Sequence, residues 1–398
     1  MKEVVIVDAV RTPIGRYGGG LKDVRPDDLL ALVLKSIVER TGVDMALIED
    51  VVAGCANQAG EDNRDVARMS LLLAGYPESV GGVTVNRLCG SSMEAFLQAA
   101  YAIQSGSGDV FIVGGVESMT RAPLVMGKAE SAFSRDMKMY DTTLGWRFTN
   151  EKLAQMHHPY SMGETAENVA EKYKISREDQ DEFALSSQHK YGQSLSAGHW
   201  NEQIVAVPVP QKKGDPLMFE KDEHPRPETK IEDLKKLKPA FRKDGSVTAG
   251  NSSGINDGAA AMLVMSADKA RELGMKPLVK FRAGAVAGVD PACMGIGPVP
   301  ATRKALQRAG LAVKDIGLAE LNEAFAAQVL ACARELELDL QKVNVNGGSI
   351  ALGHPLGMSG ARIIMTLAYE MRRRGEKHGL ATMCIGVGQG IASVFELV

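Results

Sequence analysis

Cys89 stands in Val85-Asn86-Arg87-Leu88-Cys89-Gly90-Ser91-Ser92-Met93-Glu94, an apolar run, a short turn and the start of a helix. Ser91 and Glu94 have the spacing of a capping box. From Met93 onward, Phe96, Leu97, Ala100 and Ile103 share one helical face. A cysteine just ahead of a helix meets free N–H groups and the positive end of the helix dipole. Both favour thiolate over thiol. The spacing therefore predicts a nucleophile, against the ordinary alternative of a small buried hydrophobe.

Three further loops carry groups suited to work with it. His354 lies between Gly353 and Pro355, in a glycine-rich loop from Asn346 to Gly357 with no charged residue. A neutral imidazole there can take a proton from a thiol. Cys384 ends an apolar strand and by itself reads as core. Gly386, Gly388 and Gly390 follow it and can turn backbone N–H groups toward an oxyanion. No βαβ unit or ribose-binding acid comes after these glycines, which argues against a dinucleotide fingerprint. Asn322, in Asn322-Glu323-Ala324-Phe325-Ala326, offers an amide to a water or an oxyanion. It also reads as a helix N-cap with Glu323 in the first turn.

The elements around these loops recur. Val83-Thr84-Val85-Asn86 leads to a glycine- and serine-rich turn, a helix containing Ala100-Tyr101, and the strand Val110-Phe111-Ile112-Val113. Val343-Asn344-Val345-Asn346 leads to a glycine-rich turn, a helix containing Ala368-Tyr369, and the strand Leu380-Ala381-Thr382-Met383-Cys384. This order implies an internal duplication of a βαβ-type half. The nearly apolar strands imply a sheet covered by helices on both faces. The length of 398 residues predicts two or three domains. Residues 1–118 plus 250–268 form the first half, 119–249 an inserted loop domain, and 269–398 the second half. Between Gln211 and Lys243 the insertion mixes charges of both signs and reads mostly as solvated surface.

Composition excludes several classes. A net charge of −3 and 5% aromatic residues give no sign of nucleic-acid binding. The five cysteines are odd in number and lack metal-ligand spacing, which implies a reducing compartment and no zinc site. No apolar run has membrane-spanning length. The chain opens on the strand Val4-Val5-Ile6-Val7 with no room for a signal peptide, so a cytoplasmic protein is expected.

Taken in order, the Cys89, Asn322, His354 and Cys384 loops resemble those of the thiolases. The resemblance runs from Val5 to the last strand. It takes in Met162-Gly163-Glu164-Thr165-Ala166-Glu167 and Thr248-Ala249-Gly250-Asn251-Ser252-Ser253-Gly254. It implies an α/β fold of two duplicated five-stranded halves in α-β-α-β-α layers with an inserted loop domain. It implies that Cys89 attacks the keto carbon of a 3-ketoacyl-CoA and that Cys384 is the acid and base at the acetyl-CoA carbon. His354 would activate Cys89 and, with a water held by Asn322, form the enolate's oxyanion hole. The N–H groups of Cys89 and Gly386 would form a second hole. Ser253 would touch the pantetheine and Arg226 the adenine end, while Ser161, Met162, Met294 and Phe325 would line the tunnel. CoA is then a substrate, and neither metal nor bound cofactor is required. A homodimer or homotetramer is implied, and a β-oxidation multienzyme partner is left open.

Within that family the Cys89 loop and Gln389 resemble the bacterial degradative type, which points to 3-ketoacyl-CoA cleavage in fatty-acid β-oxidation. The alternative is biosynthetic condensation of two acetyl-CoA molecules. A ketoacyl synthase would place His or Asn where Cys384 stands. A silent lipid-binding relative would not retain Cys89, His354, Cys384 and Asn322 together.

Overall fold

The computed structural model describes residues 1–398. The first half contains β1 (Val4–Arg11), α1 (Pro26–Thr41), β2 (Asp50–Gly54), α2 (Val66–Leu73), β3 (Gly81–Val85), α3 (Ser91–Ser105) and β4 (Val110–Ser118). The inserted region carries α4 (Met162–Tyr173), α5 (Arg177–Ser196) and two short hairpins. Strand β5 (Asn256–Ser266) then returns to the first half. The second half contains β6 (Val279–Gly288), α6 (Pro298–Ala309), β7 (Leu318–Leu321), α7 (Ala326–Leu336), α8 (Ser349–Leu352), α9 (Leu356–Arg374), β8 (His378–Ile385) and β9 (Gln389–Leu397).

The strands run in the order β7-β8-β9-β6-β1-β5-β4-β2-β3, and the two-residue strand Gly15–Arg16 is added beside β5. The sheet is mixed. β2 is parallel to β3 and β4, and β7 is parallel to β8, whereas β5 lies antiparallel to both β1 and β4. The halves join where β1 meets β6 at Val5↔Lys280 and Ile6↔Val279.

The strand alternation divides the apolar residues among three cores. Ala259, Ala261, Leu263 and Met265 of β5 face α1 and α2. Ala260, Met262 and Val264 face α3 and α9 in a central core that also takes Met383, Ile385, Ile391 and Phe395 from the second half. On the far side, Leu380, Ala392 and Val394 pack against α6 and α7. This is an α-β-α-β-α stack, with α3 and α9 as its middle layer. Residues from Gly357 to Met371 of α9 are buried without interruption, and Ser359, Arg362 and Glu370 among them are each hydrogen-bonded.

Two sequence expectations give way. The second copy's leading strand, Val343–Asn346, shrinks to one bridge between Ala319 and Val343, and Asn344 turns into the left-handed region at φ 46°. The second half is therefore four-stranded plus a bridge rather than five-stranded. The inserted region is pinned to the first half by a fully buried pair. Arg11 holds Asp222 through two bonds of 2.7 and 2.9 Å, with its guanidinium 5.3 Å from the Trp200 ring. No helix is long and apolar enough to cross a membrane.

Candidate active site

The N-terminal ends of α3 and α9 pack against each other, which brings the Cys89 and His354 loops to one place. Ser92 Oγ accepts from the Ala361 N–H at 2.8 Å, and a Cβ added at Gly360 would lie 2.4 Å from the Met93 nitrogen. Only glycine permits this approach.

Cys89 is half-buried and follows Leu88, whose φ is 47°. That strained turn is tied down locally. Asn86 Oδ1 accepts from the Leu88 N–H at 2.8 Å, and Ser91 Oγ donates to the Leu88 carbonyl at 2.6 Å. Ser91 is thereby used up. The expected capping box is absent, Gly90 is the N-cap, and Glu94 pairs with Arg87 at 2.8 Å instead.

The expected preference for thiolate is also opposed in the free protein. Burial pushes the Cys89 thiol up to about 11, although the nearby N–H groups of Gly386 and of Cys89 itself pull it down. Desolvation outweighs the helix terminus here. Of the two N–H groups, the first comes from the Gly386-Val387-Gly388 turn that joins β8 to β9, the second from the turn before α3. Gly388 and Gly390 face elsewhere, against the backbones of Val289 and Gly297.

Cys384, 1% exposed at the end of β8, is likewise pushed well above the ordinary thiol range by burial, and the nearby Cys89 adds to the shift. It shares a small core with Met294, Phe325, Ala324 and Ala166, against which Met162 packs.

His354 is buried, and burial, with Arg362 adding to it, pushes it down to about 3. Its tautomer follows from its partners. Ser359 Oγ donates to the Pro355 carbonyl at 2.7 Å, so at 2.6 Å it accepts from the His354 Nδ1–H. Nε2 is left with a lone pair, 3.4 Å from Asn322 Nδ2. Burial thus favours the neutral form of both groups, the His354 imidazole of one loop and the Cys89 thiol of the other.

Asn322 is not a helix cap. Helix α7 begins four residues later, after Phe325, and Asn322 is drawn instead to Ser349, whose hydroxyl lies 2.6 Å from its Oδ1.

The remaining predicted residues spread outward. Ser253 is half-buried beside Ala324, to whose carbonyl its N–H donates at 3.0 Å. Ser161 caps α4 in a full capping box with Glu164, which occupies its hydroxyl. Arg226 is exposed, and its backbone N–H donates to Gln188 at 2.7 Å.

Sequence reading missed four groups here: Ser349, Ser359, Arg362 and Glu117. Each acts through partners far away in the chain or through an ordinary helix position, so no local pattern marks it. Glu117 is 1% exposed and accepts N–H bonds from Ala56, Asn57 and Gly357 at 2.9, 3.0 and 2.8 Å. Burial pushes it up to about 7, while these donors pull it down. It thus clamps the start of α9, just beyond His354, to the first half. Glu117→Gln keeps the size but removes one accepting oxygen. It is expected to cost about 2–3 kcal/mol, read as a lower urea midpoint. An unchanged midpoint would show that the clamp is dispensable.

Two family models match the chain. One, described as thiolase, N-terminal domain, covers residues 4–268, and the other, thiolase, C-terminal domain, covers residues 275–397. The chain is 57% identical to the 3-oxoadipyl-CoA/3-oxo-5,6-dehydrosuberyl-CoA thiolase of Escherichia coli (strain K12), over 100% of each chain. Among solved structures it is similar to the Bacillus anthracis acetyl-CoA acetyltransferase, with a TM-score of 0.94 and 44% identity over 100% of this chain and 99% of that one. It is also similar to human mitochondrial 3-ketoacyl-CoA thiolase in complex with CoA, with a TM-score of 0.93 and 41% identity over 100% and 98%.

Proposed function

Because the chain belongs to the thiolase family of acyltransferases, we propose that it cleaves 3-oxoacyl-CoA thioesters with CoA, through an acyl-Cys89 intermediate, and that its acyl groups end in a carboxylate. The observation that carries the reaction is the convergence of the Gly386 and Cys89 N–H groups on the Cys89 sulfur, with the Cys384 thiol alongside. CoA enters as a substrate.

The proton inventory closes. His354 Nε2 takes the Cys89 proton as sulfur attacks the keto carbon, and the two N–H groups receive the oxyanion. Scission of the C2–C3 bond sends its electron pair into an enolate thioester. The enolate oxygen is held by the His354 Nε2–H just formed and by the Asn322 amide. Cys384 gives its proton to C2, and acetyl-CoA leaves. The Cys384 thiolate then takes the proton of the incoming CoA thiol, whose sulfur attacks the acyl group. Cys89 departs and recovers its proton from His354. Met162, Met294 and Phe325 would flank the acyl group, Ser253 the pantetheine and Arg226 the far end of CoA.

The substrate class rests on the name of the relative at 57% identity, whose two acyl groups are both dicarboxylic. Fatty-acid β-oxidation is the second reading, favoured by the likeness to human mitochondrial 3-ketoacyl-CoA thiolase. Comparing kcat/KM for 3-oxoadipyl-CoA, the uncharged 3-oxohexanoyl-CoA and acetoacetyl-CoA separates them. A preference of about 10- to 100-fold for the first, the worth of one charged hydrogen bond, is expected. Equal rates on the first two would favour β-oxidation, and activity confined to acetoacetyl-CoA would favour the biosynthetic reaction. A homodimer or homotetramer is also proposed. The sheet-edge strand β3 and the exposed Leu124, Met126 and Met139 of one inserted hairpin offer surfaces for it.

A further inference from the structure

Behind Asn322 lies a chain of buried polar groups that the mechanism above does not use. Arg362, on α9 and 1% exposed, pairs with Glu320 of β7 at 3.2 Å. Its Nη2 also donates to Ser349 Oγ at 2.8 Å. Ser349 is fully buried, and its hydroxyl reaches Asn322 Oδ1 at 2.6 Å.

A guanidinium has donors only. The Ser349 oxygen must therefore accept from Arg362, which directs its own hydrogen to Asn322. That in turn identifies the accepting end of the amide as oxygen, so the NH2 end faces His354 Nε2. The same sense of donation continues through His354 Nδ1–H to Ser359 and on to the Pro355 carbonyl. Every proton in the row is ordered from one end.

We propose that Ser349 and Arg362 are positioning residues that lock the Asn322 amide with its NH2 toward the reacting centre, and so serve the carbon–carbon bond step selectively. The inference rests on the acyl-Cys89 reading above. Without the serine hydroxyl the amide is free to turn over. An amide oxygen facing a protonated His354 would bind it well and repel the enolate oxygen. The other half of the reaction, transfer of the acyl group between CoA and Cys89, uses the N–H groups of Gly386 and Cys89 and does not require the Asn322 amide. A loose packing residue would slow both halves, whereas a positioning residue for Asn322 slows one.

The test compares two rates in the full-length protein. One is CoA-dependent cleavage of a 3-oxoacyl-CoA. The other is exchange of labelled CoA into acetyl-CoA, which reports acylation of Cys89 alone. Ser349→Ala is expected to lower kcat for cleavage about 100-fold, comparable to losing one oxyanion donor, and to change exchange by less than about threefold. Ser349→Thr, which keeps the hydroxyl, should recover most of the cleavage rate. Should Ser349→Ala fold poorly, Ser349→Cys keeps the volume with a weaker donor, and it must show the same selective loss in smaller degree. Equal loss in both rates, or loss in neither, overturns the proposal. A wild-type protein that exchanges and cleaves, beside an unaffected Ser349→Ala, sinks the positioning role alone. A wild-type protein that does neither sinks the acyl-Cys89 reading, and the positioning role with it.

Discussion

Cys89→Ala is expected to abolish cleavage and CoA exchange together, by about 10⁴-fold or more, the scale seen when an enzyme loses its nucleophile. Both halves of the reaction pass through the sulfur, so neither survives its loss. Cys384→Ala sharpens the prediction. On the proposed mechanism that thiol hands its proton to carbon, and its removal should cost cleavage about 10²- to 10⁴-fold, the usual worth of a general acid or base. Exchange should also fall, but less, because there Cys384 only relays the proton of the CoA thiol, an easier transfer than protonating carbon. Measuring both rates on both variants assigns the two cysteines. Residual cleavage in Cys89→Ala above the uncatalysed rate would mean that another group attacks the keto carbon.

The second large effect concerns a residue that does no chemistry. Gly360→Ala should destabilise the protein by about 3 kcal/mol or more, at the upper end of overpacking costs, read as a fall in the urea midpoint. The new methyl would meet the Met93 nitrogen at 2.4 Å, a backbone atom that no rotamer change can move. Whatever folds should also lose activity, because prising α9 from α3 prises His354 from Cys89. Gly375→Ala is the control. That glycine ends α9 at φ 71° with nothing near its Cβ, so only conformational strain is added, about 1 kcal/mol. Equal effects from the two substitutions would show that the helices slide apart freely.

The site was legible in sequence where chemistry and local form coincide. Cys89 and His354 each precede a long buried helix, and the glycines around them mark turns, so both could be placed from neighbouring residues alone. The duplication was legible for the same reason, because strand, turn, helix and strand recur in order. What stayed hidden was decided by distant partners. Asn322 has the look of a cap, but Ser349, 27 residues on, claims it. Glu94 has the look of a capping residue, but Arg87 claims it. Val343–Asn346 is spelled like a strand, yet Asn344 spends its side chain on Leu321 and Glu323 and bends the backbone away. The charge state of Cys89 was hidden for another reason: a helix end is visible in sequence, and the depth of burial that overrides it is not.

The seam between the halves limits how this molecule can move. β1 and β6 run side by side across it, and the central core of 39 buried residues draws on strands from both sides. Opening the molecule like a clamshell would expose that core to water, at a cost far above the 5–15 kcal/mol that holds a typical domain folded. Turnover therefore cannot run on a hinge. With no jaw to close over the reaction, the proposed thioester substrate would have to serve as its own stopper. On the proposed reaction its acyl chain and pantetheine arm would expel the water as they enter, so a shorter acyl group is expected to leave the enolate less well shielded.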